Sequence, residues 1–406
     1  MNQCVISNQV PNIFVMELFQ SIQTKIQYIG IVHPTIASNL LLTTKILFVI
    51  SLMVGMILSS LTFILFHKKT FSEVAEAFFL LMTAILAITV YILFVQRRAV
   101  FYKLIDDARD IIQKRSKNPS SKKLYDNLTE TIAKTSKWMS FSLAGVAVSV
   151  TTIPNAILSY WKYWEGFGNA SFKLPLTGVY LYDQTLLGYS FGSSIQIMAM
   201  FSMMWLFSCI LVFLSGFPSV VITFADDIQL ELKNWSQSLN EKHSNDLKTK
   251  HSLYKILAFQ AIIREYSKQI STAFQPVALA YLLWGIVCIS ITLVMLQISL
   301  NQNTLTTSDI AHTPQFIFWT FLAMYIPCHF GDALTCRQRD IGQEIYESSW
   351  HFLPLEQQML LPLPMMLAQN PIYMKAFGSI SCSRNIFKKI TEKGFSYFMV
   401  LRQFEF

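Results

Sequence analysis

The side chains that could perform covalent or metal chemistry are scattered along this chain of 406 residues. It contains no nucleophile elbow, HExxH metal motif, phosphate-binding loop or dinucleotide fingerprint, and its histidines are isolated from one another. Its cysteines form no Cys-x-x-Cys pair and no Cys/His cluster at metal spacing; they are Cys4, Cys209, Cys288, Cys328, Cys336 and Cys382. We therefore expect no enzyme, no metal site and no cofactor, and we expect these cysteines to pack as small hydrophobic groups.

The elements that must position any functional side chain are apolar helices. Six apolar stretches, several near the ~20 residues that a helix needs to cross hydrocarbon, predict a polytopic membrane protein. They cover residues 46–66, 77–96, 138–160, 190–224, 272–298 and 315–331. The composition agrees, because 14% of residues are charged whereas soluble domains average about 25%.

Lysine and arginine are distributed unequally between the connections that join these stretches. The connections at 97–137, 225–271 and 332–380 contain 11, 7 and 3 basic residues, whereas the alternate connections contain 2, 2 and none. By the positive-inside rule the basic connections are cytoplasmic, and so is the N-terminus. The net charge of +8 therefore follows the topology and indicates contact with the lipid bilayer, not with nucleic acid.

The N-terminal segment, residues 1–45, lacks the charged-then-apolar order of a cleaved signal peptide. Within it, residues 13–34 have the pattern of an amphipathic helix that ends near Gly30, with Pro34 as a stop. We expect this helix to lie at the cytoplasmic membrane surface, and the first span to act as an uncleaved anchor.

Two apolar stretches continue as polar helices. The stretch at 190–224 is longer than a span requires, and 225–271 keeps a helical period while it becomes polar. We therefore expect spans four and five to extend into a cytoplasmic helical bundle. The connection at 97–137 is also helical and charged, with a break around Asn118-Pro119-Ser120-Ser121.

The last segment, residues 382–406, allows two interpretations. Only about 394–401 is continuously apolar, and Lys388, Lys389 and Glu392 would be unfavourable against lipid. The segment is therefore either an amphipathic cytoplasmic tail, which leaves six spans, or a seventh span that is shielded by other helices and faces water. The second alternative places the C-terminus outside and makes the helix a natural pore liner.

Short motifs reduce that ambiguity. Residues 174–196 contain a Leu-Pro pair, two aromatic residues, then Asp, Tyr and Gln; these are Leu174, Pro175, Tyr180, Tyr182, Asp183, Tyr189 and Gln196. Residues 345–354 contain Tyr346 and Trp350 as a Tyr-x-x-x-Trp, 395–404 contain Ser-Tyr-Phe, and 26–34 provide a weaker fourth motif. Their types and order resemble the insect odorant receptor family, although Leu181 stands where that family commonly has proline. The sibling gustatory receptor family ends similarly and is the nearest alternative.

This resemblance implies an all-α membrane protein with seven transmembrane helices, a cytoplasmic N-terminus and an extracellular C-terminus. It implies a subunit of a tetrameric, ligand-gated, non-selective cation channel, formed with the olfactory co-receptor in the plasma membrane of sensory neurons. The ligand would be a volatile hydrophobic odorant. The expected parts are an N-terminal segment (1–45), helices one to six with their extensions (46–331), a cytoplasmic anchor segment (332–380) and a pore helix (381–406). Helices four to seven would together form the anchor bundle.

Under this topology, the outer halves of spans two to six meet at one level, where an odorant would contact apolar groups and a few hydroxyls or amides. Methionine suits loose apolar recognition because its side chain is soft and flexible. Helix packing is the simpler interpretation of any single residue, and only the resemblance selects the set. The candidates are Phe79, Met82, Thr83 and Leu86 on span two, Ser149 and Thr152 on span three, Gln196, Met200 and Met203 on span four, and Phe318, Trp319 and Phe321 on span six.

The candidate pore residues share one face of the last helix, since positions three and four apart are neighbours. The resemblance implies an apolar gate at Val400 with Gln403 just outside it. A ring of ammonium groups at Lys389 and Lys393 would repel cations. We therefore expect the co-receptor to contribute most of the pore lining, and these lysines to lie where the vestibule widens. The complete candidate stripe is Lys393, Ser396, Tyr397, Val400 and Gln403.

One glycosylation sequon, at Asn169, lies in a predicted extracellular connection. Asn127 and Asn234 also fit the motif, but both lie in connections predicted to be cytoplasmic, where the enzyme cannot reach them. We therefore predict that glycosylation is confined to Asn169.

Two functions of other classes remain as alternatives. A heptahelical G-protein-coupled receptor is disfavoured by the inverted charge asymmetry and by the absence of Asp-Arg-Tyr after span three and of Asn-Pro-x-x-Tyr in the last span. A secondary transporter is disfavoured because the sequence contains no internal repeat and no chain of intramembrane carboxylates.

Overall fold

The computed structural model describes residues 27, 40–66, 71–147, 186–240, 246–301, 307–378 and 380–403. This part of the chain is almost entirely helical, as the apolar periodicity predicts. A short 3-10 turn covers Trp350–Phe352, and β1 (Lys375–Phe377) pairs antiparallel with β2 (Ile380–Ser381). The helices are α1 (Leu40–Phe66), α2 (Phe71–Gln96), α3 (Arg98–Arg115), α4 (Pro119–Ala147), α5 (Leu186–Asn240), α6 (Asp246–Asn301), α7 (Thr307–Glu347), α8 (Leu355–Gln358), α9 (Pro362–Gln369) and α10 (Arg384–Gln403).

Within the described residues, four helices contain an apolar segment long enough to cross a bilayer: Thr43–Phe66, Glu73–Gln96, Phe191–Leu239 and Lys250–Ile298. They include the predicted spans one, two, four and five. The predicted third span is described only as far as Ala147, and the predicted spans six and seven lie in α7 and α10.

The surface of α1 shows why such a helix requires lipid. Leu47, Leu58, Leu65 and Phe66 are all more than half exposed, whereas Met53 is completely buried against the neighbouring helices. An apolar outer face of this size has no counterpart on a soluble helix of the same length. We call the apolar parts of α1, α2, α5, α6 and α7 the membrane bundle.

Helices α5 and α6 contain 55 and 56 residues. At a rise of 1.5 Å per residue each is about 80 Å long, whereas the hydrocarbon core is about 30 Å thick. Each helix is continuous through its apolar and polar parts. The polar ends, 225–240 and 246–271, pack with α3, the start of α4 and residues 332–347 of α7. We call this group the extension bundle.

An arginine compensates for a proline where α6 passes between the two bundles. Pro276 lies inside α6 and has no N–H, so it cannot donate to the carbonyl of Thr272 four residues earlier. The Nη1 atom of Arg97, in the turn between α2 and α3, donates to that carbonyl at 3.0 Å. The hydrogen bond thus replaces the missing helical one and ties α2 to α6.

The break predicted near residue 118 separates α3 from α4. Helix α3 ends at Arg115, and α4 begins with Pro119 at its first position, where proline's fixed φ and missing N–H are tolerated. The turn is short, and this α3–α4 hairpin places Arg115, Ser121 and Tyr125 near a single point on α5.

The residue of α5 at which these three side chains meet is Asp227, whose side chain is completely buried. Its carboxylate accepts hydrogen bonds from Arg115 Nε at 2.8 Å, Ser121 Oγ at 2.6 Å and Tyr125 Oη at 2.7 Å. Arg115 also pairs with Glu231 at 2.9 Å, and its guanidinium lies 4.1 Å from the centre of the Phe259 ring. Burial and the charge of Asp227 raise the pKa of the Tyr125 hydroxyl, which therefore remains a protonated donor.

The carboxylate of the preceding residue, Asp226, pairs with a different helix. Asp226 lies 3.5 Å from Arg337 on α7. Burial raises the pKa of Asp226, and the positive charge of Arg337 opposes that increase. Two neighbouring residues of α5 thus connect the α3–α4 hairpin on one side and α7 on the other.

The segment after α7 packs back onto α6 through backbone carbonyls. Gln260 donates to Pro364 O at 3.0 Å, and Arg264 donates to Leu367 O and Asn370 O at the end of α9. The sequence did not predict the β1–β2 hairpin that follows. It turns at Gly378, whose φ of +51° favours glycine.

Candidate functional site

The candidate residues on α2 and α5 face the interior of the membrane bundle. Phe79, Thr83 and Leu86 are buried on one face of α2, and Met82 beside them is partly buried. On α5, three more candidates share one buried face because they follow one another at helical spacing; these are Gln196, Met200 and Met203. The structure therefore places seven of the candidates in or beside the core that α2 and α5 share.

The candidates on α7 are distributed differently. Phe318 is 56% exposed, and Trp319 and Phe321 are partly buried. The α7 residue that contacts the α2 candidates is Phe316, whose ring centre lies 4.6 Å from that of Phe79. The sequence interpretation missed Phe316, since a two-residue shift on an aromatic-rich helix changes the face without changing the composition. Ser149 and Thr152, the candidates on span three, lie outside the described residues.

An aromatic group on α5 and α6, also missed by the sequence interpretation, borders the candidate site. The ring of Phe207, four residues after Met203, lies 5.9 Å from Tyr281 and 5.9 Å from Trp284. The indole N–H of Trp284 approaches Thr83 Oγ1 at 3.4 Å. Aromatic residues three apart on an apolar span were the available signal, but ordinary packing produces the same pattern.

Helix α10 has a packed face and an open face. Ile390 and Gly394 are buried, and a Cβ atom added to Gly394 would lie 2.7 Å from Ile289 Cγ2 on α6. Ser290 Oγ on α6 donates to Gly394 O at 3.1 Å. The Phe387 ring lies 6.3 Å from that of Phe321, so this α7 candidate contacts α10. Close approach at Gly394 therefore fixes α10 against α6, while Phe387 packs against α7.

The candidate pore residues lie on the open face. Tyr397 and Val400 are each more than half exposed, and Ser396 and Gln403 are exposed beside them. Beside them, Phe398 is partly buried and Met399 is 42% exposed within the chain. Toward the start of the helix, the same open surface contains Lys388, Lys389 and Lys393; only Glu392, 3.9 Å from Lys388, offsets their charge.

Over the ranges that the structure describes, no group of three His, Cys, Asp or Glu residues could hold a metal ion. The predicted glycosylation site Asn169 lies outside those ranges.

Long apolar helices that expose leucine and phenylalanine define the class of the protein as a multi-pass helical membrane protein. A family model described as "7tm Odorant receptor" matches residues 70–393, which is most of the chain. The chain therefore belongs to the 7tm odorant receptor family, a receptor class and not an enzyme class.

Two solved structures have a similar fold. The insect olfactory receptor OR5 from Machilis hrabei in complex with eugenol has a TM-score of 0.71 and 10% identity, over 97% of this chain and 99% of that chain. A second structure of that receptor has a TM-score of 0.69 and 11% identity, over 96% of this chain and 100% of that chain. No curated protein sequence matches the chain. The predicted helical membrane fold is confirmed.

Proposed function

We propose that this odorant receptor is the odorant-binding subunit of a ligand-gated, non-selective cation channel, formed as a heterotetramer with the olfactory co-receptor. The main support is helix α10. One face packs tightly on α6 and α7 at Gly394 and Phe387, while the other presents polar and apolar side chains that nothing in the described chain covers. A polar helix of this kind is stable within a membrane when its open face meets water or other subunits.

The decisive experiment is electrical. Cells that express this chain, the co-receptor or both are exposed to a panel of volatile compounds while membrane current is recorded. We expect a current that reverses near 0 mV only when both chains are present and a volatile is applied. A response that requires G proteins would instead support the heptahelical receptor alternative, and activation by non-volatile tastants alone would support the gustatory alternative.

The proposed topology has the N-terminus in the cytoplasm and the C-terminus outside, in the plasma membrane of sensory neurons. It rests on the unequal distribution of basic residues. A C-terminal epitope should be accessible to antibody on unpermeabilised cells, and Asn169→Gln should remove any endoglycosidase-sensitive mass shift. A shift that persists in the Asn169→Gln variant would place Asn127 or Asn234 outside and refute the topology.

The proposed odorant site includes Thr83 and Met200, which are buried, and Trp319, which is partly buried. Replacing each by alanine should change the rank order of activating odorants more than it changes the amount of receptor at the surface. Phe201→Ala is the matched control, because Phe201 is 47% exposed on the same helix as Met200 and should leave the rank order unchanged. Parallel loss of response and surface protein would show that the three buried positions only pack helices.

The proposed gate is Val400, with Gln403 beside it on the open face of α10. Val400→Ala should raise the basal current of the heteromer, because a smaller apolar ring excludes water less effectively. Gln403→Arg should shift the reversal potential when sodium is replaced by a larger cation. Normal surface expression with neither change would remove residues 396–403 from the pore.

A further inference from the structure

The Tyr281 hydroxyl is a buried polar group without a partner. Tyr281 lies on α6, is 1% exposed, and its Oη atom has no hydrogen-bond partner among the described residues. Its ring packs edge-on against Phe207 and Trp284. Buried hydroxyls are nearly always hydrogen-bonded, because an unpaired one loses its bond to water and gains nothing in return.

Buried threonine hydroxyls of the membrane bundle do have partners. Thr83 donates to Phe79 O at 2.8 Å, and Thr292 donates to Cys288 O at 2.8 Å, so each is satisfied by its own helix. Tyrosine cannot bond to its own helix in that way, since the rigid ring carries the hydroxyl away from the backbone. No residue of the described chain satisfies the Tyr281 hydroxyl, so it is available to a bound molecule.

Tyr281 also borders the candidate odorant site on two sides. Phe207, which contacts it, continues the buried α5 face that contains Met200 and Met203. Trp284, which also contacts it, reaches Thr83 on α2. The two rings that pack on Tyr281 therefore connect it to the candidate faces of α5 and α2, and in such an apolar setting one polar contact orients a small ligand.

We propose that Tyr281 donates a hydrogen bond to the ligand, and that the site selects volatiles with an acceptor oxygen, such as ketones and esters, over hydrocarbons of the same shape. The inference rests on the proposed odorant-binding function and adds the chemical class of the ligand. A hydrocarbon of equal size would fill the same apolar surface but leave the hydroxyl unpaired.

The test uses a matched ligand pair: an aliphatic methyl ketone, and the alkene in which a CH2 group replaces the carbonyl oxygen. In the full channel, the half-maximal concentration of the ketone should be about tenfold lower than that of the alkene, the ratio that one such bond provides. In Tyr281→Phe the ratio of the two half-maximal concentrations should fall to about one. The ketone loses its hydrogen bond, and the alkene no longer lies against an unpaired hydroxyl.

Two control substitutions test whether the ketone preference depends on the Tyr281 hydroxyl itself. Tyr266→Phe removes another buried tyrosine hydroxyl, but this one already donates to Leu104 O in the extension bundle, so the ratio should not change. Ser193 Oγ is the second buried hydroxyl without a partner in the described chain, and it lies farther along the α5 face. If Ser193→Ala removes the ketone preference while Tyr281→Phe keeps it, the proposal is wrong. Loss of surface protein in Tyr281→Phe would also refute it, because the hydroxyl would then be structural.

A binding measurement separates this inference from the channel proposal. The ketone should raise the melting temperature of the purified heteromer more than the alkene does, and Tyr281→Phe should abolish that difference. A thermal shift without current would refute the channel function and retain the ligand class. Equal shifts by ketone and alkene in the wild type would refute the ligand class.

Discussion

The membrane bundle and the extension bundle treat polar side chains in opposite ways. In the membrane bundle, Thr83, Ser215, Thr292 and Thr320 each donate to a carbonyl of their own helix. In the extension bundle, Asp227 accepts bonds from three residues more than 100 positions away along the chain. All the ion pairs in the described part of the chain lie outside the six apolar stretches.

This difference gives the two bundles different structural roles. Helices whose hydroxyls bond mainly to their own backbone have few hydrogen bonds to break when their packing adjusts around a ligand; the bonds of Trp284 to Thr83 and of Ser290 to Gly394 are the exceptions described above. Helices joined by a buried ion network cannot, because each displaced partner leaves an uncompensated charge. The comparison therefore indicates that the membrane bundle supplies adaptable shape and the extension bundle supplies fixed geometry.

Asp227→Ala should give the largest loss of stability and is the strongest test of this difference between the bundles. The change leaves the partly buried Arg115 with Glu231 as its one remaining charged partner in the described chain, and we expect the variant to lose about 3 kcal/mol of stability and most of its surface expression. Surface biotinylation and the melting temperature of the solubilised receptor measure both effects. Glu130→Ala is the control, since Glu130 forms an exposed pair with Lys134 and its removal should change neither quantity. Normal melting of Asp227→Ala would show that the network is dispensable.

The contact between α10 and α6 should give the next largest effect. Gly394→Ala inserts a methyl group against Ile289 and should destabilise the packing by about 1–3 kcal/mol, the usual range for overpacking. We expect a lower melting temperature and an altered open probability. Gly55→Ala on α1 is the matched control, because an added Cβ there meets nothing within 4 Å. If the two variants have the same melting temperature and open probability, the close approach of α10 to α6 contributes to neither.

A smaller effect should arise at the boundary between the bundles. Arg97→Ala leaves the Thr272 carbonyl without a donor and should cost about 1 kcal/mol. Pro276→Ala restores the helical N–H, so Arg97→Ala should be nearly neutral in that background. Melting temperatures of the two single variants and the double variant form a cycle. Additive losses would show that Arg97 acts elsewhere.

The smallest effect should come from a hydroxyl that bonds only to its own helix. Thr292 is completely buried, yet Thr292→Val should change stability by less than about 0.5 kcal/mol, because the methyl group fills the same space and such back-bonding contributes little. Melting of the solubilised receptor provides the measurement. A loss comparable to that of Asp227→Ala would abolish the distinction between the two bundles.

The long helices and the break at Pro119 could be predicted because both depend on local sequence: apolar length, helical period and proline chemistry. The Asp227 network could not, since its donors lie in a distant hairpin and their charges resemble those of any solvated helix face. On α7 the sequence selected Phe318, Trp319 and Phe321 as candidates but not Phe316, whose ring packs against Phe79, because the rotation of a helix about its axis depends on tertiary packing. Tyr281 was missed for a related reason: an unpaired hydroxyl is defined only by what surrounds it.

The β1–β2 hairpin restricts how α10 can move. Ser271 on α6 donates to Tyr373 O at 2.7 Å just before the hairpin, and Cys382 N donates to Met374 O at 2.7 Å just after it. The start of α10 is therefore clamped to α6, and about 15 Å farther along, Gly394 is wedged against Ile289. With two fixed points, the helix can neither slide nor rotate as a rigid rod. Only the part of α10 beyond Gly394, which contains Val400 and Gln403, is then free to move relative to α6.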